Sequence, residues 1–224
     1  MQEQVWVTGI ILRAEPIREY DRRIVILTRE RGKISAFARG ARKQGSRLLA
    51  STNPFCFGQF RLYEGRTAYS VSETAISNYF EGLRENFDAA LYGMYFLEVM
   101  DYYTRENSDE KEMLKLLYQS LRALLHEGIA NPLIRYIFEI KALAINGEYP
   151  GLPRREMPYL DSTEYAVNYI VNSSVEKLYT FTVTPQVLKE LAQIADIYRK
   201  KFMDRKMQSL EILCEMNSDD EILY

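Results

Sequence analysis

The sequence predicts an α+β chain: a small closed β-barrel of about five strands, then a mainly α-helical domain with a small β-hairpin-like insertion. Three observations carry this. The first 80 residues read as short strands separated by turns, and from Phe87 onward apolar residues recur at helical spacing. The charge divides at the same place. Residues 1–80 hold 13 Lys/Arg and 7 Asp/Glu, a net of +6, whereas residues 81–224 hold 16 and 24, a net of −8. We therefore expect a basic module, residues 1–80, joined to an acidic helical body, residues 81–224.

Each element follows from its local pattern. Val5–Leu12 is rich in β-branched residues and is expected to stop near Pro16, which cannot donate to a ladder. Ile24–Thr28 and Ile34–Ala38 flank Arg29–Lys33, where Gly32 supplies the turn, giving a hairpin with a charged tip. In FCFGQFRLYE, residues 55–64, the apolar positions 55 and 57 give way to 60 and 62. That change of parity at Gly58 is how a bulge is written. Gly65 turns the chain into a strand over Thr67–Ser72. Five short strands in about 75 residues fit a closed barrel better than an open sheet.

Phe87–Thr104 then reads as a helix with a stripe through Leu91, Met94, Tyr95, Val99 and Tyr102. Ser108 or Asp109 can cap a second helix, Glu110–His126, with a leucine face ending before Gly128. Pro132–Ile145 opens on proline and stops at Asn146-Gly147. Residues 147–184 break the pattern. GEYPGLPRREMPY is proline-rich, and EYAVNYIV and KLYTFTV read as two strands. Helices follow over Gln186–Met203 and Lys206–Glu215, and the acidic tail NSDDEILY is expected to fray.

The most informative segment is DRRIVILTRERGKISAFARGARKQGSR, starting at Asp21. Between residues 22 and 47 it has nine basic residues and one acid, Glu30, in a chain of net charge −2. A field concentrated in this way points to a polyanionic partner. Candidate phosphate contacts are Arg22, Arg29, Arg31, Lys33, Arg39, Arg42, Lys43 and Arg47. Strand alternation prevents all of them from sharing one face, and the loop Arg39–Arg47 is favoured because its glycines bring backbone N–H groups close to phosphates. Phe37, Phe55, Phe57, Phe60 and Tyr63 are the nearest aromatics, of which Phe37 and Tyr63 are the candidate stacking platforms.

The order of residues narrows the class further. A five-stranded barrel with a basic hairpin suggests an OB-fold. Within it, D-R-R-I-V, T-R-E-R-G-K and A-R-G-A-R-K, followed by Pro54-Phe55, closely resemble the N-terminal signature of the bacterial RecO family of DNA repair proteins. Leu91–Asp101 resembles that family's first helix, RYIFEIKAL (Arg135–Leu143) its FELKLL segment, and DRKMQSLEIL (Asp204–Leu213) its C-terminal helix. The resemblance implies an OB-fold plus a helical domain in a recombination mediator that is not an enzyme. Such a protein binds single- and double-stranded DNA, anneals complementary strands, acts with RecR, and helps RecA replace the single-strand-binding protein, whose acidic tail it contacts. On the helical body, Arg135 and Lys141 are the candidates for that tail. A scaffold contacting an acidic protein and an RNA-directed barrel are the alternatives.

Other residues carry less. Many members of the family have a four-cysteine zinc module after a G-Y-x-P segment. Here Gly147-Glu148-Tyr149-Pro150 is followed by no cysteine until Cys214, so residues 147–184 read as a degenerate remnant, with no metal and no cofactor expected. Cys56 and Cys214 are expected to be packing residues, and His126 to lie at a helix end; no catalytic residue is assigned, Asp219-Asp220 included. The N-terminus has neither a signal-peptide layout nor a run long enough to span a bilayer, so a cytoplasmic, nucleoid-associated protein is expected, away from membranes.

Overall fold

The computed structural model describes residues 4–66 and 68–220. Five strands form a closed barrel in the order β1-β2-β3-β5-β4. They are β1 (Gln4–Ile17), β2 (Asp21–Thr28), β3 (Gly32–Ala38), β4 (Phe57–Tyr63) and β5 (Tyr69–Asn78). All pairings are antiparallel except β3 with β5, and β4 returns to β1 to close the barrel. Thr67, where a strand was expected to begin, lies outside the described residues.

β1 is longer than the sequence pattern suggests. Its first half pairs with β4 and its second with β2, and Pro16 stays in the ladder opposite Arg22 near the strand's end. The strand thus ends near Pro16, as expected, with the proline itself paired, since a proline is tolerated at a strand end. The parity change at Gly58 is a register shift between Phe57 and Gly58. A Cβ on Gly58 would sit 2.3 Å from the Ala75 carbonyl oxygen, so only glycine admits that backbone approach. Inward residues Val7, Ile11, Ile24, Ile26, Ile34, Phe60 and Leu62 fill the barrel and are almost fully buried. Between β3 and β4 runs a series of turns and a short helix, α1 (Leu48–Ser51), that no sequence pattern announced.

The remaining helices are α2 (Glu81–Glu85), α3 (Phe87–Tyr103), α4 (Lys111–Ala123), α5 (Asn131–Ile145), α6 (Asp161–Asn172), α7 (Pro185–Phe202) and α8 (Gln208–Asp220). The chain forms two compact units. The first comprises the barrel through Glu81 together with Leu97–Leu114, and the second Gly82–Phe96 with the chain from Lys115 onward. In the first unit the 105–107 segment clamps the β2–β3 hairpin tip: Lys33 N donates to Arg105 O (2.9 Å), Asn107 N to Arg31 O (3.0 Å), and Gly32 bridges Glu106. Gly32 has φ +65°, and a Cβ there would lie 2.2 Å from Arg105 O.

In the second unit α5 packs against both α6 and α7. Phe96 stacks on Phe138 with ring centroids 4.2 Å apart, among buried Ile134, Ile137, Leu191 and Ile194. Pro132 lies in the first turn of α5, and Asn146 N closes its other end on Ala142 O. Asp109 Oδ1 accepts from Lys111 N at the start of α4 (3.3 Å).

Two expectations about this unit fail. Residues 164–183 contain no strand: EYAVNYIV belongs to α6, and after a 3-10 turn at Val175–Lys177 the chain continues without a strand partner. The β-branched and aromatic composition suggested strands, but the buried set Thr163, Ala166, Val167 and Ile170 has helical spacing. Asp161 and Glu164 suit the dipole at its N-terminus, and Lys141 Nζ donates to Val171 O and Ser173 O at the other end. Cys214, expected to be a packing residue, is exposed on α8, whereas Cys56 is buried in the barrel. α8 extends through Asp220, so the acidic tail begins inside a helix, and residues 221–224 lie outside the described residues.

Candidate nucleic-acid interface

The basic run divides into three groups by what its side chains touch. At the hairpin tip, Arg31 Nη1 is 3.2 Å from Glu64 Oε2 and donates to the Tyr69 hydroxyl (3.1 Å). Lys33 Nζ is 3.2 Å from Asp101 Oδ1 and also donates to the Asp101 carbonyl. Both charges are locally neutralised. Arg29, two residues before Arg31, is exposed and makes no ion pair among the described residues.

Arg22 forms a second group alone. Its Nη1 donates to Leu49 O (3.0 Å), Thr52 Oγ1 (3.0 Å) and Asn53 Oδ1 (2.9 Å), tying the start of β2 to α1 and the turn after it. Partial burial, and then the neighbouring Arg42 charge, lower the proton affinity of its guanidinium.

The third group is the loop Arg39–Arg47, which is ordered by the β1–β2 turn. Asp21 Oδ1 accepts from Gly40 N (2.7 Å), Arg42 N donates to Tyr20 O (2.9 Å), and Arg42 Nη1 reaches Glu19 O (3.3 Å). Gly40 and Gly45 take φ +64° and +76°, as this succession of tight turns requires. Gly40 N–H is therefore engaged by a carboxylate rather than open to an anion. Arg39, Arg42, Lys43 and Arg47 are all exposed, and none forms an ion pair among the described residues. Lys43 Nζ lies 5.5 Å from the centroid of the Tyr20 ring. Arg18, Tyr20, Arg39 and Lys43 border a cleft of about 460 Å³. Cations held this way, without carboxylate partners, present a field that draws phosphate oxygens.

Arg18 and Tyr20 were missed by sequence reasoning. They lie just upstream of the basic run, in the turn that faces its loop, and the interleaving R-E-Y-D-R-R was the available signal. The proposed stacking residues fall elsewhere. Phe37 pairs with Ser70, and Ser70 with Tyr63, so all three form one outward row across β3, β5 and β4. Arg23 extends the row beyond Phe37. Both aromatic rings are half-buried, and the Tyr63 hydroxyl accepts from Gln4 Nε2 (2.8 Å). Phe55 and Phe60 are core residues.

The family model for the N-terminal region of recombination protein O matches residues 1–80, and that for its C-terminal region matches residues 84–155. The chain belongs to the RecO family. Its role therefore lies in DNA repair and recombination, and its barrel is the family's OB-fold. Among its relatives, DNA repair protein RecO of Clostridium perfringens strain 13 is 27% identical, covering 92% of this chain and 95% of that protein. That of Alkaliphilus metalliredigens is 29% identical, over 91% and 96%. That of Bacillus pumilus is 25% identical, over 96% and 95%.

In this RecO-family chain the candidate tail residues of the helical unit differ in accessibility. Lys141 is 7% exposed, its ammonium engaged by the α6 carbonyls. Arg135 Nε donates to Glu139 Oε1 (2.6 Å), which also accepts from the Tyr95 hydroxyl (2.7 Å). Burial is the largest influence on Arg135 and opposes its charge, yet Glu139 beside it outweighs burial and holds the guanidinium firmly protonated. The Tyr95 hydroxyl, whose ionisation burial strongly suppresses, lies in the field of both Arg135 and Arg199. Arg199 lines a groove of about 400 Å³ with an apolar floor of Met203, Met207 and Leu210 and the cations Lys200, Arg205 and Lys206 at its rim. His126 lies beyond the end of α4, its backbone N–H donating to Ala123 O (3.0 Å). Among the described residues no group of three or more His, Cys, Asp or Glu could hold a metal, and no helix is long and apolar enough to cross a membrane.

Proposed function

We propose that this chain is a recombination mediator whose OB-fold domain, residues 1–80, binds single- and double-stranded DNA through the β1–β2 turn and the Arg39–Arg47 loop. The observation that carries this reading is the set of exposed cations without ion-pair partners among the described residues, Arg18 together with Arg39, Arg42, Lys43 and Arg47, the last four in a loop whose Gly40 and Arg42 backbone is tied to Asp21 and Tyr20. OB-folds take oligonucleotides on the β2–β3 face and on the β1–β2 and β4–β5 loops, and Arg18 and Tyr20 lie in the β1–β2 turn. Phosphate repulsion is the main obstacle to bringing two strands together, and a dense cationic surface screens it. Complementary bases can then meet, which gives annealing without covalent chemistry and without a nucleotide cofactor.

The helical domain, residues 81–224, is proposed to dock partner proteins: RecR, and the acidic tail of the single-strand-binding protein, so that RecA gains access to the strand. The tail reading is supported by Arg205 beside the Met and Leu residues of the groove, where Arg199 and Lys200 pair with Asp196 and Lys206 with Glu211, pairs that an acidic peptide would have to replace.

Binding to fluorescent single-stranded DNA, RNA and an acidic peptide across a salt series tests the reading. If about 4–6 phosphates are neutralised, the log–log slope on single-stranded DNA is about −3 to −4. A slope near zero would falsify the DNA assignment, and tighter binding to RNA would redirect it. Annealing of complementary oligonucleotides then tests the mediator step itself.

A further inference from the structure

A phosphate-binding surface treats single and double strands alike unless something reads the base face. Beside the cations of the β1–β2 turn and the Arg39–Arg47 loop, Tyr20 is placed to do so. Tyr20 is 43% exposed, whereas Phe37 and Tyr63 are half-buried in the strand row. Its backbone is fixed by the bond from Arg42 N, and its neighbour Asp21 is fixed by the bond from Gly40 N. The ring therefore projects from an anchored turn. One cation, Lys43, lies 5.5 Å from its centroid, and Arg18 and Arg39 border the same cleft of about 460 Å³ together with Glu19 and Asp21. The Lys43 ammonium sits at the end of a flexible four-carbon stem and can move to an incoming phosphate without disturbing the backbone.

We infer that Tyr20 is a base-stacking platform that makes this site favour single-stranded over duplex DNA. The inference rests on the DNA-binding reading above and deepens it. An unpaired base can leave its own stack and lie on the phenol ring while the flanking phosphates meet Arg18, Arg39 and Lys43. In a duplex both faces of each base are already covered, so only the phosphate contacts remain. The cleft admits a purine or a pyrimidine because every base has a π-face, so the preference is for strandedness rather than sequence.

The test uses the full chain with a fluorescent oligo-dT and a duplex of equal length. Tyr20→Ala is expected to weaken oligo-dT binding by about 5- to 100-fold, the loss typical of one stacked base. It is expected to leave duplex affinity within about 2-fold and the salt slope unchanged, because no phosphate contact is removed. Tyr20→Phe keeps the ring and is expected to restore oligo-dT binding. Independently of any variant, photo-crosslinking of the wild-type chain to an oligonucleotide bearing 5-iododeoxyuridine is expected to label Tyr20. Equal losses on both probes, no loss on either, or crosslinks that avoid Tyr20 overturn the inference, and with a steep wild-type salt slope they leave the DNA reading standing. A flat wild-type slope removes both together.

Discussion

The β2–β3 hairpin tip and the loop that follows β3 are almost equally basic in sequence and quite different in space. Arg31 and Lys33 at the tip face Glu64 and Asp101, and the tip is hydrogen-bonded to the 105–107 segment. Arg39, Arg42, Lys43 and Arg47 in the loop form no ion pair among the described residues, and of the acids that share the cleft, Glu19 and Asp21, the second holds Gly40 N. Charge at the tip is therefore architecture, and charge in the loop is available for binding. What separates the two is whether distant parts of the chain bring an acid to each cation.

The sharpest way to break this contrast is charge reversal in the loop. Arg39→Glu, Arg42→Glu and Lys43→Glu together are expected to reduce affinity for single-stranded DNA by about 100-fold or more at moderate salt, and to flatten the log–log slope by about 2. Melting temperature should barely change, since all three side chains are exposed. If instead the triple variant binds normally while the Arg31 and Lys33 variants do not, the two regions have been assigned the wrong way round.

Gly32→Ala attacks the other side of the comparison. A methyl group there would lie 2.2 Å from Arg105 O on a backbone at φ +65°, so the clamp on the tip must open or the turn must change. A loss of about 2–4 kcal/mol is expected by chemical denaturation. The salt slope of DNA binding should remain that of the wild type, because the loop is untouched. A tip that tolerated alanine without loss would show that the 105–107 segment does not hold it.

Lys33→Ala and Arg39→Ala form a smaller, paired test. Lys33 loses a partly buried ion pair with Asp101 and a carbonyl contact, for an expected cost of about 1–2 kcal/mol of stability and less than about 2-fold in DNA affinity. Arg39→Ala should do the reverse, leaving stability intact and weakening binding by a few-fold, read by fluorescence anisotropy beside thermal melts. Equal effects of the two substitutions on either axis would dissolve the distinction.

These contrasts also mark what the chain makes legible. A β-branched run reveals β2, alternation reveals β3, and the broken parity at Gly58 reveals a bulge, because all depend on neighbours within a few residues. Helical spacing and end signals reveal α5 and α7 for the same reason. The neutralising acids could not be read, since Asp101 lies 68 residues from Lys33. α6 was misread because its composition favours strands, while its fate is decided by a buried face and by Lys141 arriving from α5 to meet its last carbonyls. Tyr20 escaped notice because a lone aromatic in a turn has no periodicity to reveal it. The Arg39–Arg47 loop was legible as a site because its evidence is composition, which needs no contacts.

Arg22 sits at the boundary of the contrast and offers its finest test. It belongs to the basic run by sequence, yet one of its nitrogens serves three acceptors between Leu49 and Asn53. If it is a positioning residue, Arg22→Ala should cost about 1–2 kcal/mol, as expected for a partly buried charged donor whose acceptors are left unsatisfied. It should also raise hydrogen exchange across residues 47–53 and lower DNA affinity only indirectly, through a loosened Arg47. Arg22→Lys then decides the matter. A lysine keeps the charge but cannot reproduce the planar fork, so it should fail to restore exchange protection. Full rescue of both protection and binding by lysine would show that Arg22 acts as a charge, and would move it from the architectural group into the binding one.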